Sequence, residues 1–148
     1  VPVGKIEITK EGSDVTLVTY GSTWRIVSEA ANELEKLGIS SEVIDIQSLI
    51  PFDLSAEIAQ SIKKTNRLVV IDEDVEGGTS AFILQQVLEK QKAFRYLDSD
   101  PLTISAENHR PAYASDGDYF SKPSADDIVE KVYQLFFELN PEKYPPIY

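Results

Sequence analysis

The feature that most constrains this chain is Arg67-Leu68-Val69-Val70-Ile71-Asp72-Glu73-Asp74-Val75-Glu76-Gly77-Gly78. Its apolar, β-branched run is too short for a helix. It breaks into acids, reaches a glycine pair, and is followed by an amphipathic segment. A strand apolar at consecutive positions has to be covered on both faces, which is the condition of a parallel strand inside an α/β sheet. Its carboxyl end then passes through a loop into the next helix, and open α/β sheets place ligand and partner contacts along that edge.

The flanking sequence repeats this alternation. Residues 4–9 alternate weakly and read as an edge strand, closed by a turn at Glu11-Gly12-Ser13-Asp14. Val15-Thr16-Leu17-Val18-Thr19 reads as a second strand, stopped by Tyr20-Gly21-Ser22. From Thr23 onward, Trp24, Val27, Ala31, Leu34 and Leu37 recur at helical spacing until Gly38 ends the helix. Residues 42–46 return to strand character, and Pro51-Phe52-Asp53 turns into a helix with the stripe Leu54, Ile58 and Ile62. A third helix over 79–91 directs Phe82, Ile83, Val87 and Leu88 inward, and Leu102-Thr103-Ile104 is the last short strand. Ser124 caps a final helix with Asp126 and Asp127 in its first turn, where their charge suits the helix dipole. Its buried face is expected to be Ile128, Val132, Leu135, Phe136 and Leu139. Strands alternating with amphipathic helices predict a three-layer α/β/α sandwich around a mostly parallel, five-stranded sheet with one antiparallel edge strand. The 148 residues fit a single domain, with a linker and edge strand over 1–14, a core over 15–139 and an extended tail over 140–148.

With 14 Lys and Arg against 25 Asp and Glu, the net charge of −11 argues against nucleic acid and anionic membranes; it would steer a basic protein partner, but it equally serves solubility, so charge alone does not decide between them. No apolar run approaches the ~20 residues of a membrane span. Zero cysteines exclude disulfides, thiolate nucleophiles and sulfur-ligated metals, and fit a reducing, cytoplasmic setting. There is no methionine, and a chain opening Val1-Pro2-Val3-Gly4 reads as a piece excised from a longer one.

The inventory for catalysis is poor. His109 is the single histidine, and in its polar loop it reads as a surface or interface residue. No Gly-x-Ser-x-Gly elbow presents a nucleophile beside it. Asp72, Glu73 and Asp74 suggest magnesium by residue type, but consecutive residues leaving a strand point to alternate faces, so loop solvation or a partner contact is the better reading. Gly77 and Gly78 precede a helix whose free amides suit an anion, yet they form neither Gly-x-Gly-x-x-Gly nor a Walker loop; a tight turn with close helix packing is the simpler role. A phospho-acceptor receiver domain needs paired acids where this chain has Thr19-Tyr20-Gly21. No catalytic, cofactor-binding or metal-ligating residue is assigned.

Four segments in order resemble one family. Val15-Thr16-Leu17-Val18-Thr19-Tyr20-Gly21, then Val43-Ile44-Asp45-Ile46-Gln47-Ser48-Leu49-Ile50-Pro51-Phe52-Asp53, then Lys63-Lys64-Thr65-Asn66 leading into the 67–78 stretch, together with the entry Val1-Pro2-Val3-Gly4-Lys5, are similar to the transketolase C-terminal domain. The form resembled is that of the beta chain of thiamine-diphosphate-dependent 2-oxo acid dehydrogenases of the pyruvate or branched-chain 2-oxoisovalerate type. The resemblance implies an assembly domain without turnover of its own, with thiamine diphosphate and magnesium held by other parts of the parent. It implies self or companion chains in a dimer or heterotetramer, and docking to a basic subunit-binding domain of the acyltransferase near Asp98, Asp100 and Tyr148. Tyr113, Tyr119 and Tyr144 are the candidate subunit contacts, since exposed aromatics cap interfaces. A transketolase or related synthase as parent, and a stand-alone anion-binding domain using Gly77 and Gly78, remain as alternatives. Deleting residues 144–148 is expected to weaken self-association in sedimentation while leaving the circular dichroism spectrum unchanged; unaltered association would remove the tail from the interface.

Overall fold

The computed structural model describes residues 6–20, 23–46, 53, 56–75, 79–108, 120–121, 124–139 and 142, with backbone alone at 73–75, 79, 105–108 and 120–121. The strands are β1 (Ile6–Lys10), β2 (Val15–Tyr20), β3 (Ser41–Ile46), β4 (Leu68–Val75), β5 (Leu102–Asn108) and β6 (Phe120–Ser121). The helices are α1 (Trp24–Lys36), α2 (Glu57–Thr65), α3 (Thr79–Gln85) and α4 (Ala125–Leu139). The sheet order is β1-β3-β2-β4-β5-β6. β2 is parallel to both β3 and β4, β4 is parallel to β5, and β1 lies antiparallel on the β3 edge. This is the expected five-stranded arrangement, to which two residues of β6 are added antiparallel to Glu107 and Asn108.

Alternation along the strands divides the core into two layers. Val15, Leu17, Val69, Ile71 and Ile104 face α1 and α4, whereas Val18, Ile44, Leu68 and Val70 face α2 and α3. The threonines of β2 are equally buried, so their hydroxyls need partners inside the protein. Thr16 Oγ1 lies 2.7 Å from both Ser61 Oγ and Thr65 Oγ1 of α2, and Thr19 Oγ1 lies 2.6 Å from Thr23 Oγ1.

Helix ends account for most differences from the expected boundaries. α1 closes in a Schellman turn: Gly38, at φ 89°, donates its N–H to Glu35 O and Ile39 donates to Leu34 O. Its apolar stripe is Val27, Ala30, Ala31 and Leu34; Trp24 and Leu37 stay more than a third exposed, at 39% and 37%. The Trp24 indole instead donates to Thr9 Oγ1 at 3.0 Å, tethering the helix start to the edge strand. α2 begins at Glu57 because buried Asp53 caps it, accepting from the amides of Glu57 at 3.0 Å and Ile58 at 2.9 Å. Gln91 braces that cap by donating to Asp53 Oδ2 at 3.0 Å and accepting from the Ala59 amide at 3.1 Å. Leu54 lies outside the described residues. The third helix splits, α3 passing into a π-helical turn over Gln86–Lys90 and a 3-10 turn over Ala93–Tyr96.

Ser124 caps α4 as expected: its hydroxyl accepts from the Asp127 amide at 3.1 Å, and the Asp127 carboxylate accepts from the Ser124 amide at 3.2 Å. The buried face of α4 is corrected at Leu135, Leu139 and Tyr133, and Leu135 is only half-buried because it lies toward the outer side of the helix. Leu139 is 42% exposed because it occupies the last helical position, while Tyr133 is buried because α1 packs beside α4 and covers a second side of the helix.

Gly12 sits where β1 turns into β2 and presses against β3. A Cβ there would lie 2.3 Å from the Ser41 carbonyl carbon and 2.5 Å from its oxygen, both backbone atoms that cannot move aside. Gly12→Ala is therefore expected to destabilise the domain by about 3 kcal/mol, measured as a lower urea midpoint. An unchanged midpoint would show that the turn relaxes freely.

Candidate functional site

The amino-terminal end of the parallel strands is organised by Arg67. α2 ends at Asn66, which adopts φ 64° and turns the chain sharply into β4. The Asn66 side chain donates to Tyr96 O at 2.8 Å, and the Asp98 amide donates to Asn66 O at 3.0 Å. Arg67 then reaches three neighbours at once. It donates to Asp14 O at 3.1 Å, pairs with Asp98 Oδ2 at 3.3 Å, and stacks 4.8 Å over the Phe136 ring of α4. Asp14 is itself tied to β3, its carboxylate accepting from the Ser40 amide at 2.7 Å. The approach to β5, the β1–β2 turn and α4 are thus held by one guanidinium, whose fixed fork and planar face suit simultaneous pairing and stacking.

Beside this hub lies a cleft of about 660 Å³. One wall is the approach to β5, with Asp100, Pro101, Leu102 and Thr103; the other is the outer side of α4, with Glu130, Lys131, Gln134, Leu135 and Glu138. Its base is apolar and its rim is mostly acidic. A second cleft of about 220 Å³ opens between β1, β3 and α2, where Glu42, only 2% exposed, pairs with Lys64 at 2.5 Å and accepts from the Gly12 amide at 3.3 Å. Both contacts fall on Glu42 Oε1 and tie β3 to α2 and to the β1–β2 turn.

The sequence candidates divide among these places. Asp98 is 48% exposed and already engaged by Arg67; Asp100 is exposed and forms part of the larger cleft. Gly77, Gly78, His109, Tyr113, Tyr119, Tyr144 and Tyr148 lie outside the described residues. At the carboxyl end of β4, the three residues between Ile71 and Val75 run against the single residue between Ile104 and Ala106, so the acids at 72–74 sit on a bulge, with Asp72 buried. Among the described residues no group of three His, Cys, Asp or Glu is placed to hold a metal ion. The carboxylates around the larger cleft would repel a diphosphate, so the residues described here do not fit a thiamine diphosphate site. The arrangement suits recognition of another polypeptide.

Sequence reasoning passed over Arg67 and the α4 wall. The signal for the wall was present: Glu130, Gln134 and Glu138 recur every four residues, away from Ile128, Val132 and Phe136. Nothing local marks Arg67, because its three partners are 53, 31 and 69 positions away.

The transketolase C-terminal domain model matches residues 4–128. The chain belongs to that family. It is 39% identical over 130 residues to pyruvate dehydrogenase E1 component subunit beta-2, mitochondrial, of Oryza sativa subsp. japonica, covering 87% of this chain and 34% of that protein. It is 36% identical over 133 residues to pyruvate dehydrogenase E1 component subunit beta of Rhizobium meliloti, covering 89% of this chain and 28% of that one. The chain thus spans about a third of the length of these relatives. Among solved structures, a split gene transketolase described as an inactive beta4 tetramer is similar with TM-score 0.66 and 26% identity, over 90% of this chain and 43% of that chain. A 2-oxoglutarate:ferredoxin oxidoreductase from Magnetococcus marinus shares the fold, with TM-score 0.54 and 19% identity over 88% of this chain and 19% of that chain.

The hub leads to an expected energetic asymmetry. Arg67→Ala should cost about 3 kcal/mol, because it removes the stack on Phe136 and leaves the Asp14 carbonyl without its donor. Asp98→Ala should cost no more than about 1 kcal/mol, because that pair is half exposed and screened. Urea denaturation of both variants checks this, and equal costs would mean that the ion pair, not the stack, dominates.

Proposed function

We propose that this chain is the assembly domain of the dehydrogenase component of a 2-oxo acid dehydrogenase complex, and that it docks that component to the acyltransferase. The carrying observation is the continuous match, across nearly nine tenths of the chain, to about one third of pyruvate dehydrogenase beta subunits. In the parent enzyme a 2-oxo acid is oxidatively decarboxylated and the acyl group passes to a lipoyl group, with 2-oxoisovalerate as a further substrate candidate. Thiamine diphosphate and magnesium belong to other parts of that parent in this reading, consistent with an acidic cleft here that disfavours a diphosphate. The companions are self or partner chains of the dehydrogenase component and a basic subunit-binding domain of the acyltransferase. The net charge of −11 supports such a basic partner.

A second reading has one observation in its favour, the similarity to a split gene transketolase. In that case the same domain assembles a transketolase-type enzyme and meets no acyltransferase. Titrating the dehydrogenase component that carries this chain with the subunit-binding domain of the cognate acyltransferase separates the two. Docking predicts saturable binding that weakens roughly tenfold when ionic strength rises from about 0.05 M to about 0.5 M. Absence of binding at both salts would leave the transketolase-type parent as the better account.

A further inference from the structure

The acidic surface of this domain gives way to one of opposite sign after the third helix. From Lys90 to Tyr96 three of seven residues are cations and none is an acid, in a chain with 25 acids against 14 cations. Lys10, Lys36, Lys64 and Arg67 each pair with a carboxylate. Lys63, Lys90, Lys92 and Arg95 are exposed, and among the described residues none of them pairs with an acid, the neighbouring Glu89 included. Lys63 Nζ lies 5.9 Å from the Tyr96 ring centre and the Arg95 guanidinium 5.1 Å, so α2 and the 3-10 turn gather their charges around one aromatic. Arg95 also donates to the Tyr96 hydroxyl at 3.1 Å. The turn is fixed from beneath. Ala93 is buried, Tyr96 and Leu97 pack on the layer under α2 and α3, and Tyr96 O accepts from the Asn66 side chain at 2.8 Å. Phe94 is left facing outward at 66% exposure, the most exposed large apolar side chain among the described residues.

We propose that this patch seats an acidic segment of a partner polypeptide, whose carboxylates meet Lys63, Lys92 and Arg95 while an apolar side chain covers Phe94. The sign of the occupant follows from the cations. Held apart from acids in a domain rich in them, they leave a local positive field that steers a negatively charged chain. Its class follows from Phe94 and Arg95, since an exposed aromatic beside a guanidinium is typical of polypeptide interfaces, and an arginine fork matches a carboxylate. A small inorganic anion would leave Phe94 uncovered. A nucleic acid fits less well, because the surrounding charge of −11 repels a phosphate backbone along its length. The sign is opposite to that of the partner in the docking reading above, so the two inferences stand independently.

The test uses the complete enzyme component that carries this chain and, as probe, a labelled peptide of about twelve residues in which glutamates flank a central leucine. Fluorescence anisotropy reads affinity. A carbodiimide, which joins a lysine amine to a carboxylate in direct contact, reads position. The expected result is saturable binding with crosslinks to Lys90 or Lys92, and at least about tenfold weaker binding by the double variant Lys90→Glu and Lys92→Glu. Both lysines are exposed, so that variant should keep the wild-type melting temperature. Phe94→Ser should weaken binding at least about threefold through lost apolar contact. Crosslinks from these lysines to an acidic segment of a companion chain that keeps the probe out would equally support the inference, with that segment as the occupant. Absence of any crosslink from them to probe or companion chain overturns it. Equal affinity of wild type and the charge variant also overturns it, since the peptide then sits elsewhere. Weaker binding by the charge variant with unchanged binding by Phe94→Ser removes the apolar anchor from the proposal. Tighter binding of a uridine oligonucleotide of equal charge than of the peptide makes the occupant a nucleic acid and overturns the polypeptide.

Discussion

The domain depends on the complete enclosure of β2. Both edges of that strand are paired, with β3 on one side and β4 on the other, and both faces are covered by helices. Val15 to Thr19 are buried, so their polar groups have to be satisfied from within. Thr16 accomplishes this through α2, and Thr19 through the residue that starts α1. These hydroxyl contacts do more than satisfy a donor. They set how each helix sits on the sheet, because a buried hydroxyl at 2.7 Å tolerates little sliding. Fixing two helices on opposite faces fixes the two apolar layers, and α3 and α4 complete those layers.

The two ends of the sheet are then built differently. The carboxyl end carries the bulge at 72–74, where the ladder between β4 and β5 loses its regular register. The amino end is tied together by Arg67, Asn66 and Asp98, with Asp14 and Ser40 extending the ties to β3. Open α/β sheets ordinarily place ligands at the carboxyl end. In this domain the larger described cleft is found beside the amino end of β5 and runs along α4. Its lining joins residues of β5 and its approach to residues of α4, the helix on which Arg67 stacks through Phe136.

Where periodicity carried the information, the sequence could be read directly. The middle of the α1 stripe (Val27, Ala31 and Leu34), the capping of α4, the apolar continuity of β4 and the parallel three-layer plan all follow from short-range pattern, and the structure agrees with them. Failures occurred where a contact distant in sequence decided the outcome. Trp24 fits a helical stripe, yet it serves as a hydrogen-bond donor to the edge strand. The expected start of α2 was shifted by a buried carboxylate, Asp53, whose brace Gln91 is 38 residues away. Leu139 matches the apolar period of α4, but it occupies the final position of the helix and stays exposed. Asp98 and Asp100 look equivalent as loop acids, and only the fold gives one to Arg67 and the other to the cleft.

The sequence by itself determined the class of structure and the sign of its surface. Apolar runs of strand length alternating with amphipathic helices admit few arrangements other than a covered parallel sheet, and a net charge of −11 is independent of conformation. Tertiary structure alone decided which acids are engaged within the domain, which threonines of β2 meet which helix and which arginine holds the sheet end together. The physical reason is range. Secondary structure and charge count depend on neighbours a few residues apart, whereas a binding surface is made by residues that crossover connections bring together from distant parts of the chain.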